Sequence, residues 1–322
     1  MTSILSLPSI YPSYLDLSGV DLSSNLPSAL CCNTSNTTRC PNIANRLIIA
    51  QLSDLHLSGL VGVNDSYHKF ITLLPSVLAY RPDFLLLTGD LVNDGNKDGY
   101  DWLFDVLHQT HIPFACVAGN HDVSIEHNSH LPFEYRRLTA QSVDDRLDDC
   151  RVIDLGNWQL LLLNSSCAGK IAGKLTDKQL HWLNHTLSTN NKPSILALHH
   201  HPIKVGSHWI DSHKLQNGNE LLDVIIPYTH LKGVLCGHVH QACSLPFGHS
   251  TLYTCPAIAR QFLPHHHHFA LDDLPCGWRL LYLSNNFYGG HFDGGIQTTV
   301  CRFYPNKPQN RGDFTQNKPY LS

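Results

Sequence analysis

The sequence predicts a layered α/β fold, and two observations support this prediction. Short apolar runs bounded by Gly, Pro or Asn are typical of strands that are buried on both faces. Such runs occupy residues 47–52, 84–88, 112–118, 159–163, 194–198 and 233–236. Segments with helical patterning alternate with these runs along the chain, and this alternation indicates sheets that are covered by helices.

The predicted helices lie between the strands, at residues 67–80, 99–110, 176–187 and 219–228. The third has the clearest start, because Thr176 is followed three residues later by Gln179. This spacing is a capping box, in which each side chain bonds the backbone of the other residue. Beyond residue 251 the pattern favours strands, chiefly at 278–283 and 298–304.

A single domain at 46–304 is predicted to contain all of these elements. Residues 1–45 are rich in Ser, Asn, Thr, Leu and Pro and show neither a strand nor a helix period. This composition predicts an irregular N-terminal extension. Residues 305–322 are interpreted as a C-terminal tail.

The composition narrows the class of protein. The 322 residues include 26 acidic and 22 basic side chains, and this weakly acidic balance argues against binding to nucleic acid or an anionic membrane. No apolar run approaches the ~20 residues of a membrane span, and the N-terminus lacks the basic start of a signal peptide. We therefore expect a cytoplasmic protein. The 23 histidines suggest metal ligation or proton transfer.

Polar side chains directly follow five of the predicted strands. They are Asp54 and His56, then Asp90, then Asn120 and His121, then the three histidines at 199–201, and finally His238 and His240. Ligands of open α/β sheets bind at the carboxyl ends of strands, so these five turns are expected to converge on one crevice. Each turn alone is weak evidence, since an Asn-His-Asp turn can be purely structural. Together the five turns predict a metal site.

The residue types and their spacing indicate the kind of metal site. Residues two apart in extended backbone point to the same side, so Asp54 and His56 can bind one ion, as can His238 and His240. Carboxylate, amide and imidazole groups together suit Fe, Mn, Zn, Co or Ni rather than Ca. If the first and last turns supply two ligands each and the other three turns supply one each, the site has seven ligands. Seven ligands exceed the need of one ion with an open position, so two ions that share a carboxylate fit better.

The ordered motifs DLHL, GDLVNDG, GNHD, HHHP and GHVH resemble those of the calcineurin-like metallophosphoesterase superfamily. Within it, LALHHHP, LCGHVHQ and FALDDLPCGWRLLYL are similar to the bacterial class III 3′,5′-cyclic-AMP phosphodiesterases. The resemblance covers residues 46–304. It implies a four-layer metallophosphoesterase sandwich, in which two mixed β-sheets are flanked by helices.

The resemblance also implies a role for each ligand. The first ion would be held by Asp54, His56 and His240, the second by Asn120, His200 and His238, and both would be bridged by Asp90. His200 is selected from the triplet because the family ligand lies two residues before the proline, which leaves His199 and His201 as packing or supporting residues. Asn120 and His121 would contact the substrate. His121 would protonate the leaving oxygen, or would instead orient a ligand.

The implied reaction is hydrolysis of 3′,5′-cyclic AMP to 5′-AMP. Two divalent ions, in the first place iron or manganese, would lower the pKa of a bridging water, and the resulting hydroxide would attack phosphorus. One alternative is a broader phosphodiesterase that cleaves 2′,3′-cyclic nucleotides or other diesters, and another is a non-catalytic scaffold. A cyclic nucleotide is the expected partner of a monomer or homodimer.

Two further features are a tryptophan shortly after the histidine triplet and a run of four histidines late in the domain. Trp209 follows the triplet in a loop, where it would offer a stacking surface to the substrate or else pack in the core. The four consecutive histidines at 265–268 are interpreted as a solvated loop without a role.

Overall fold

Two mixed β-sheets form the centre of the fold in a computed structural model of the chain. The described residues are 46–93, 96–122, 144–167, 170–284, 287–288, 291–292 and 295–304. The predicted N-terminal extension at 1–45 and the tail at 305–322 lie outside them.

The first sheet provides three of the five turns that carry polar residues. Its strands are β1 (Arg46–Leu52), β2 (Phe84–Thr88), β3 (Phe114–Val117), β12 (Gly277–Ser284) and β15 (Ile296–Arg302). They lie in the order β15–β12–β1–β2–β3. β1, β2 and β3 run parallel, whereas β12 is antiparallel to both β1 and β15. The carboxyl ends of β1, β2 and β3 therefore meet at one edge of the sheet.

The second sheet provides the other two turns. Its strands are β4 (Arg151–Leu155), β5 (Trp158–Leu162), β6 (Ser194–Ala197), β7 (Leu231–Cys236), β8 (Ser244–Phe247) and β9 (Ser250–Thr254). They lie in the order β4–β5–β6–β7–β9–β8, and the four inner strands run parallel. β4 and β8 are antiparallel edge strands.

Short strand pairs follow the second sheet. They are β10 (Gln261–Phe262) with β11 (Leu271–Asp272), and β13 (Phe287–Tyr288) with β14 (His291–Phe292). The first pair is a hairpin whose loop contains the four histidines at 265–268.

The helices cover the outer face of each sheet. They are α1 (Asp65–Leu78), α2 (Lys97–Gln109), α3 (Asp177–Thr189), α4 (His208–Asp211) and α5 (Gly218–Ile225). α1 and α2 pack on the first sheet, and α3 and α5 pack on the second. The predicted capping box is confirmed, since Thr176 and Gln179 bond each other's backbone at the start of α3.

Strand side chains alternate between two cores, as the two-residue period of a strand requires. Leu86 lies between the sheets, whereas Leu85 and Leu87 face α1 and α2. In the second sheet, Ile195 lies between the sheets and Leu196 packs toward α3 and α5. Helices, sheet, sheet and helices thus form four layers, which confirms the predicted α/β sandwich.

The strand boundaries differ from the prediction by a few residues, and one difference matters for the site. The sequence predicts a strand at 194–198, but β6 ends at Ala197. The sequence does not predict β4 and β8, because these edge strands are largely exposed and lack a continuous apolar run. Within the described ranges, every helix is too short or too polar to cross a membrane.

Candidate metal centre

The five polar turns lie at neighbouring strand ends, where the two sheets meet. Ligand atoms of Asp54, His56 and His240 lie within 4.8 Å of one another, and so do those of Asp54, Asp90 and His199. The turns after β1 and β2 are joined directly, because the backbone N–H of Asp54 donates to Gly89 O at 3.0 Å. The convergence predicted from the sequence is therefore what the fold produces.

The backbone at these turns is strained. Asp54, His56, Asp90, His238 and His240 have φ angles between 48° and 67°, in the left-handed region. This conformation costs a residue with a side chain about 1–2 kcal/mol. Such strain persists where the surrounding structure fixes it, and it is common at functional sites. Here Asp54 and His56 reach one centre from left-handed backbone rather than from the extended backbone that the sequence analysis assumes, and so do His238 and His240. The residues between them, Leu55 and Val239, pack in hydrophobic clusters.

Two of the predicted ligands share a pattern of hydrogen bonds. Nδ1 of His56 donates to Oδ1 of Asn93 at 3.0 Å, and Nδ1 of His240 donates to Arg260 O at 2.6 Å. Because Nδ1 carries the hydrogen, the lone pair lies on Nε2 in each ring. The two Nε2 atoms are only 3.3 Å apart. Two lone pairs that face each other repel, and a shared cation between them would remove that repulsion.

Burial keeps His56 in the form that a metal requires. Desolvation lowers the pKa of His56 to about 4. The imidazole is therefore neutral near pH 7, as metal ligation demands.

The histidine triplet contains a second ring with the same pattern, and it is His199. Its Nδ1 donates to Thr88 O at 2.7 Å, and its Nε2 lies 3.4 Å from Oδ1 of Asp90. Burial opposes the charged form of His199, but Asp90, followed by Asp54, outweighs burial and raises the pKa to about 9. Nε2 of this ring thus faces the carboxylate that is predicted to bridge the ions.

His200, the predicted ligand, is engaged elsewhere. Its Nε2 lies 2.9 Å from Ile171 O, and a carbonyl can only accept, so Nε2 carries the hydrogen. Its Nδ1 then accepts from the hydroxyl of Ser165 at 2.8 Å. Although ligand atoms of His199, His200 and His238 lie within 4.8 Å of one another, this arrangement leaves His200 no lone pair for a metal. The geometry therefore favours His199 over His200 as the ligand.

The third member of the triplet, His201, supports its neighbours. It is fully buried, and its ring stacks on that of His238 with centroids 5.6 Å apart. Its Nε2 lies 3.4 Å from Oδ1 of Asp211, which also accepts from the backbone N–H of Val205 at 2.7 Å. This position agrees with the packing role expected for His201.

The two carboxylates at the centre are ionised despite their burial. Burial opposes ionisation of Asp90, but the imidazoles of His199, His121 and His56 hold its pKa well below the usual range. In the same way, His240 outweighs the burial of Asp54 and lowers its pKa. Both side chains therefore present negative oxygens to any bound cation.

Unsatisfied polar atoms indicate that these residues fit the two ions implied by the motifs. Among the described residues, Nε2 of His238 and Oδ1 of Asn120 are buried and find no hydrogen-bond partner. A buried polar atom without a partner costs about 1–3 kcal/mol. Both residues are predicted ligands, and a divalent cation would satisfy them. The donor set of carboxylates, imidazoles and an amide oxygen is one that Fe, Mn or Zn accepts.

Glycine lets the turns approach this closely. A side chain at Gly119 would collide with Asp90 and His199, and one at Gly237 would collide with Ser53 and Asp54. The space beside Gly119 and Gly237 is therefore filled by neighbouring residues of the site.

His121 lies beside the centre rather than within its buried part. Its backbone N–H donates to Oδ1 of Asp90 at 2.8 Å, and its ring meets that of His56 edge to face at 4.7 Å. The residue is half-buried, so it stands between the ligands and solvent. That is the position a substrate-facing histidine needs.

Asp122 is a supporting residue that the sequence analysis does not single out. Its buried carboxylate accepts from the backbone N–H groups of Leu91, Val92 and Gly119 at 2.9–3.1 Å, and from the hydroxyl of Tyr100 at 2.7 Å. It thereby joins the turn after β2 to the turn after β3. Burial raises its pKa to about 6, and the charge on Asp90 adds to this shift.

A consistent offset from the strand ends also favours His199 over His200. Asp54, Asp90, His199 and His238 each lie two residues beyond the last residue of β1, β2, β6 and β7. The predicted strand at 194–198 is one residue too long, and the same offset from it gives His200. The offset can therefore be counted in the sequence, but it selects His199 only when β6 is taken to end at Ala197.

The chain matches a known family along most of its domain. A profile of the calcineurin-like phosphoesterase family matches residues 47–242. A protein of Moraxella catarrhalis named a probable cyclic nucleotide phosphodiesterase is 46% identical over 253 residues, which cover 76% of this chain and 91% of that protein. The 3′,5′-cyclic adenosine monophosphate phosphodiesterase CpdA of Escherichia coli is 33% identical over 266 residues, which cover 80% and 90%.

Solved structures share the fold at low sequence identity. A dimetal phosphatase from Danio rerio has a TM-score of 0.50 at 15% identity, with 80% of this chain and 99% of that chain covered. Purple acid phosphatase PPD1 of yellow lupin has a TM-score of 0.50 at 13% identity, with 79% and 53% covered. With the family match and the site geometry, the conclusion is that the chain belongs to the calcineurin-like phosphoesterase family and is a metal-dependent phosphodiesterase.

Proposed function

We propose that this enzyme hydrolyses 3′,5′-cyclic AMP to 5′-AMP at a site for two divalent ions that share Asp90. The observation that carries the proposal is the position of Asp90. Its Oδ2 lies 3.7 Å from Nε2 of His56, and its Oδ1 lies 3.4 Å from Nε2 of His199. One carboxylate thus faces two separate sets of imidazoles. The names of relatives at 46% and 33% identity support a cyclic nucleotide as the substrate.

The ligands divide between two ion positions. Asp54, His56 and His240 would hold the first ion, and Asn120, His199 and His238 would hold the second, with Asp90 between them. His199 takes the place that the sequence analysis gives to His200, because Nε2 of His199 faces Asp90 without a hydrogen-bond partner in the described part of the chain, whereas both ring nitrogens of His200 are hydrogen-bonded. Iron or manganese is the proposed metal. When bound, such ions activate water and neutralise charge on a phosphate group.

The residues around the ions then have distinct tasks. In the reaction a water oxygen adds to phosphorus, the bond from phosphorus to the 3′ oxygen breaks, and the 3′ oxygen takes a proton. His121 is the proposed donor of that proton, because it is half-buried beside His56 and is fixed to Asp90 through its backbone. Asn120, whose buried Oδ1 has no hydrogen-bond partner among the described residues, would offer that oxygen to the second ion, and its amide N–H₂ could donate to the phosphate.

The test is hydrolysis by the full chain loaded with Mn²⁺. The substrates are 3′,5′-cyclic AMP, 2′,3′-cyclic AMP, 3′,5′-cyclic GMP and bis(p-nitrophenyl) phosphate, each assayed with the natural protein and with Asp90→Ala. A preference for 3′,5′-cyclic AMP that the substitution abolishes supports the proposal. Activity on the aryl diester or the 2′,3′ cycle alone would retain a phosphodiesterase and overturn the substrate. The cytoplasmic location, the monomeric or homodimeric state and the absence of nucleic-acid or membrane partners stay predictions from the sequence.

A further inference from the structure

Three aromatic side chains extend outward from the metal centre. The ring of Phe262 lies flat on that of His240, with centroids 3.8 Å apart and planes 7° apart. Trp209 meets Phe262 edge to face at 4.8 Å. Phe269 meets both of them edge to face, at 5.1 Å from Trp209 and 5.5 Å from Phe262. Phe269 is therefore two ring contacts away from a metal ligand.

The inner two rings are parts of a small core. Trp209 and Phe262 pack on Val205, Ile210 and Val239, which are buried. Nε1 of Trp209 is buried as well, so its polar edge does not face solvent. Of the two roles open to Trp209 in the sequence analysis, these contacts favour packing.

Phe269 is exposed, whereas the two rings that it contacts, Trp209 and Phe262, are partly buried. Its exposed fraction is 61%, which is the largest of any aromatic residue that the structure describes. Exposure of a large apolar ring is unfavourable in water, and a ligand that covers the ring would remove its apolar surface from water. The contacts with Trp209 and Phe262 anchor the Phe269 ring, and the exposed part of the ring remains available to a ligand.

The loop that carries Phe269 is held in place. It connects β10 to β11, and the N–H of Leu263 donates to Ala270 O at 2.9 Å across its base. Two residues after Leu263, the N–H of His265 donates to the hydroxyl of Ser207 at 2.9 Å. Ligand binding therefore carries little entropy cost for ordering this loop, and this favours a specific contact.

We propose that Phe269 is the surface on which the nucleobase of the substrate stacks, and that Trp209 and Phe262 position it. The inference rests on the proposed function, which supplies a nucleotide as ligand. In a cyclic nucleotide the ribose separates the base from the phosphate. With the phosphate at the metals, the base lies one sugar away from His240, on the side where Phe262 and Phe269 continue the chain of rings. Every base has a π face, so stacking recognises the base as a class.

The experiment compares binding of 5′-AMP with binding of ribose 5-phosphate, which lacks the base. Both are titrated by calorimetry into the Mn²⁺-loaded full chain, as the natural protein and as Phe269→Ala, Phe269→Trp and Leu274→Ala. Leu274 is the matched control, because it is an exposed apolar residue outside the ring cluster. Phe269→Ala is expected to weaken the binding of 5′-AMP roughly 5- to 100-fold, which corresponds to the loss of one base-aromatic stack. The binding of ribose 5-phosphate should be unchanged. Phe269→Trp should restore AMP binding.

Three results would overturn the inference. They are equal binding of the two ligands by the natural protein, equal weakening of both by Phe269→Ala, and no weakening of either. Substrate hydrolysis is measured separately, so the two proposals can fail independently. If 3′,5′-cyclic AMP is not hydrolysed but Phe269→Ala selectively weakens AMP, the stacking role stands. If it is hydrolysed and AMP binding is unchanged by the substitution, the stacking role falls.

Discussion

Nε2 of His199 lies 3.4 Å from Oδ1 of Asp90, while Nδ1 of the same ring donates to Thr88 O at 2.7 Å. The carbonyl of Thr88 thus fixes the orientation of the ring and directs Nε2 of His199 at the central carboxylate. Outer hydrogen bonds of this kind orient most histidine ligands of metals. The adjacent His200 has its two ring nitrogens bound to Ser165 and Ile171 instead.

We expect His199→Ala to lose one of the two ions and His200→Ala to keep both. The same atoms are removed in each case, but within the described ranges only Nε2 of His199 faces Asp90 without a hydrogen-bond partner. Metal content per chain, measured by mass spectrometry after dialysis, separates them. Loss of an ion from His200→Ala, with both retained in His199→Ala, would restore the assignment made from the sequence.

Binding of the second ion is expected to release a proton, and the affinity for that ion is expected to rise with pH. The pKa of His199 is raised from 6.5 to about 9, so in the metal-free protein this imidazole stays protonated up to about pH 9. A metal at Nε2 must displace that proton, so affinity for the second ion should rise about tenfold per pH unit below this value. Calorimetry in two buffers of different ionisation enthalpy measures the proton. His200 has a pKa well below 6.5 and would release none.

Asp90→Ala should reduce metal content at both positions and abolish turnover, because it removes the carboxylate that the two sets of imidazoles share. Asp105→Ala, which removes an exposed carboxylate from α2, is the control and should behave like the natural protein. Near-normal turnover with two bound ions in Asp90→Ala would refute a bridging role.

His121→Ala should retain both ions and slow turnover by about 10²–10⁴-fold, the usual contribution of a general acid. The residue touches Asp90 through its backbone N–H, which the substitution preserves. Metal content and kcat are measured together. If the variant loses an ion, His121 is a ligand or orients one, and the proton-donor role is wrong.

Asp122→Asn should lower the free energy of unfolding by about 1–3 kcal/mol, because an amide NH₂ would then face backbone N–H donors that the carboxylate now accepts. The affected donors are Leu91, Val92 and Gly119. Urea unfolding of the metal-free chain measures the change, with the exposed Asp145→Asn as control. An unchanged unfolding midpoint in Asp122→Asn would mean that the two turns do not depend on this carboxylate.

Much of the fold could be predicted from the sequence because its strands are locally distinctive. The inner strands are apolar on both faces, and this burial leaves a continuous run of apolar residues such as that of β2. The edge strand β4 is largely exposed and leaves no such run, which is why it was not predicted. The convergence of the turns within each sheet also follows from local pattern, since parallel strands place their carboxyl ends together. The packing of the two sheets against each other brings the two groups of turns to one site.

The sequence by itself determined the fold class, the family and the chemical types of the ligands, because apolar runs and the polar turns after them are local features. The tertiary structure decided which ring of the triplet faces Asp90, through partners far along the chain: Thr88 for His199, and Ser165 and Ile171 for His200. It also decided that Trp209 packs while Phe269 is exposed. Neighbouring residues of one type carry identical local information, and only contacts between distant segments make their environments differ.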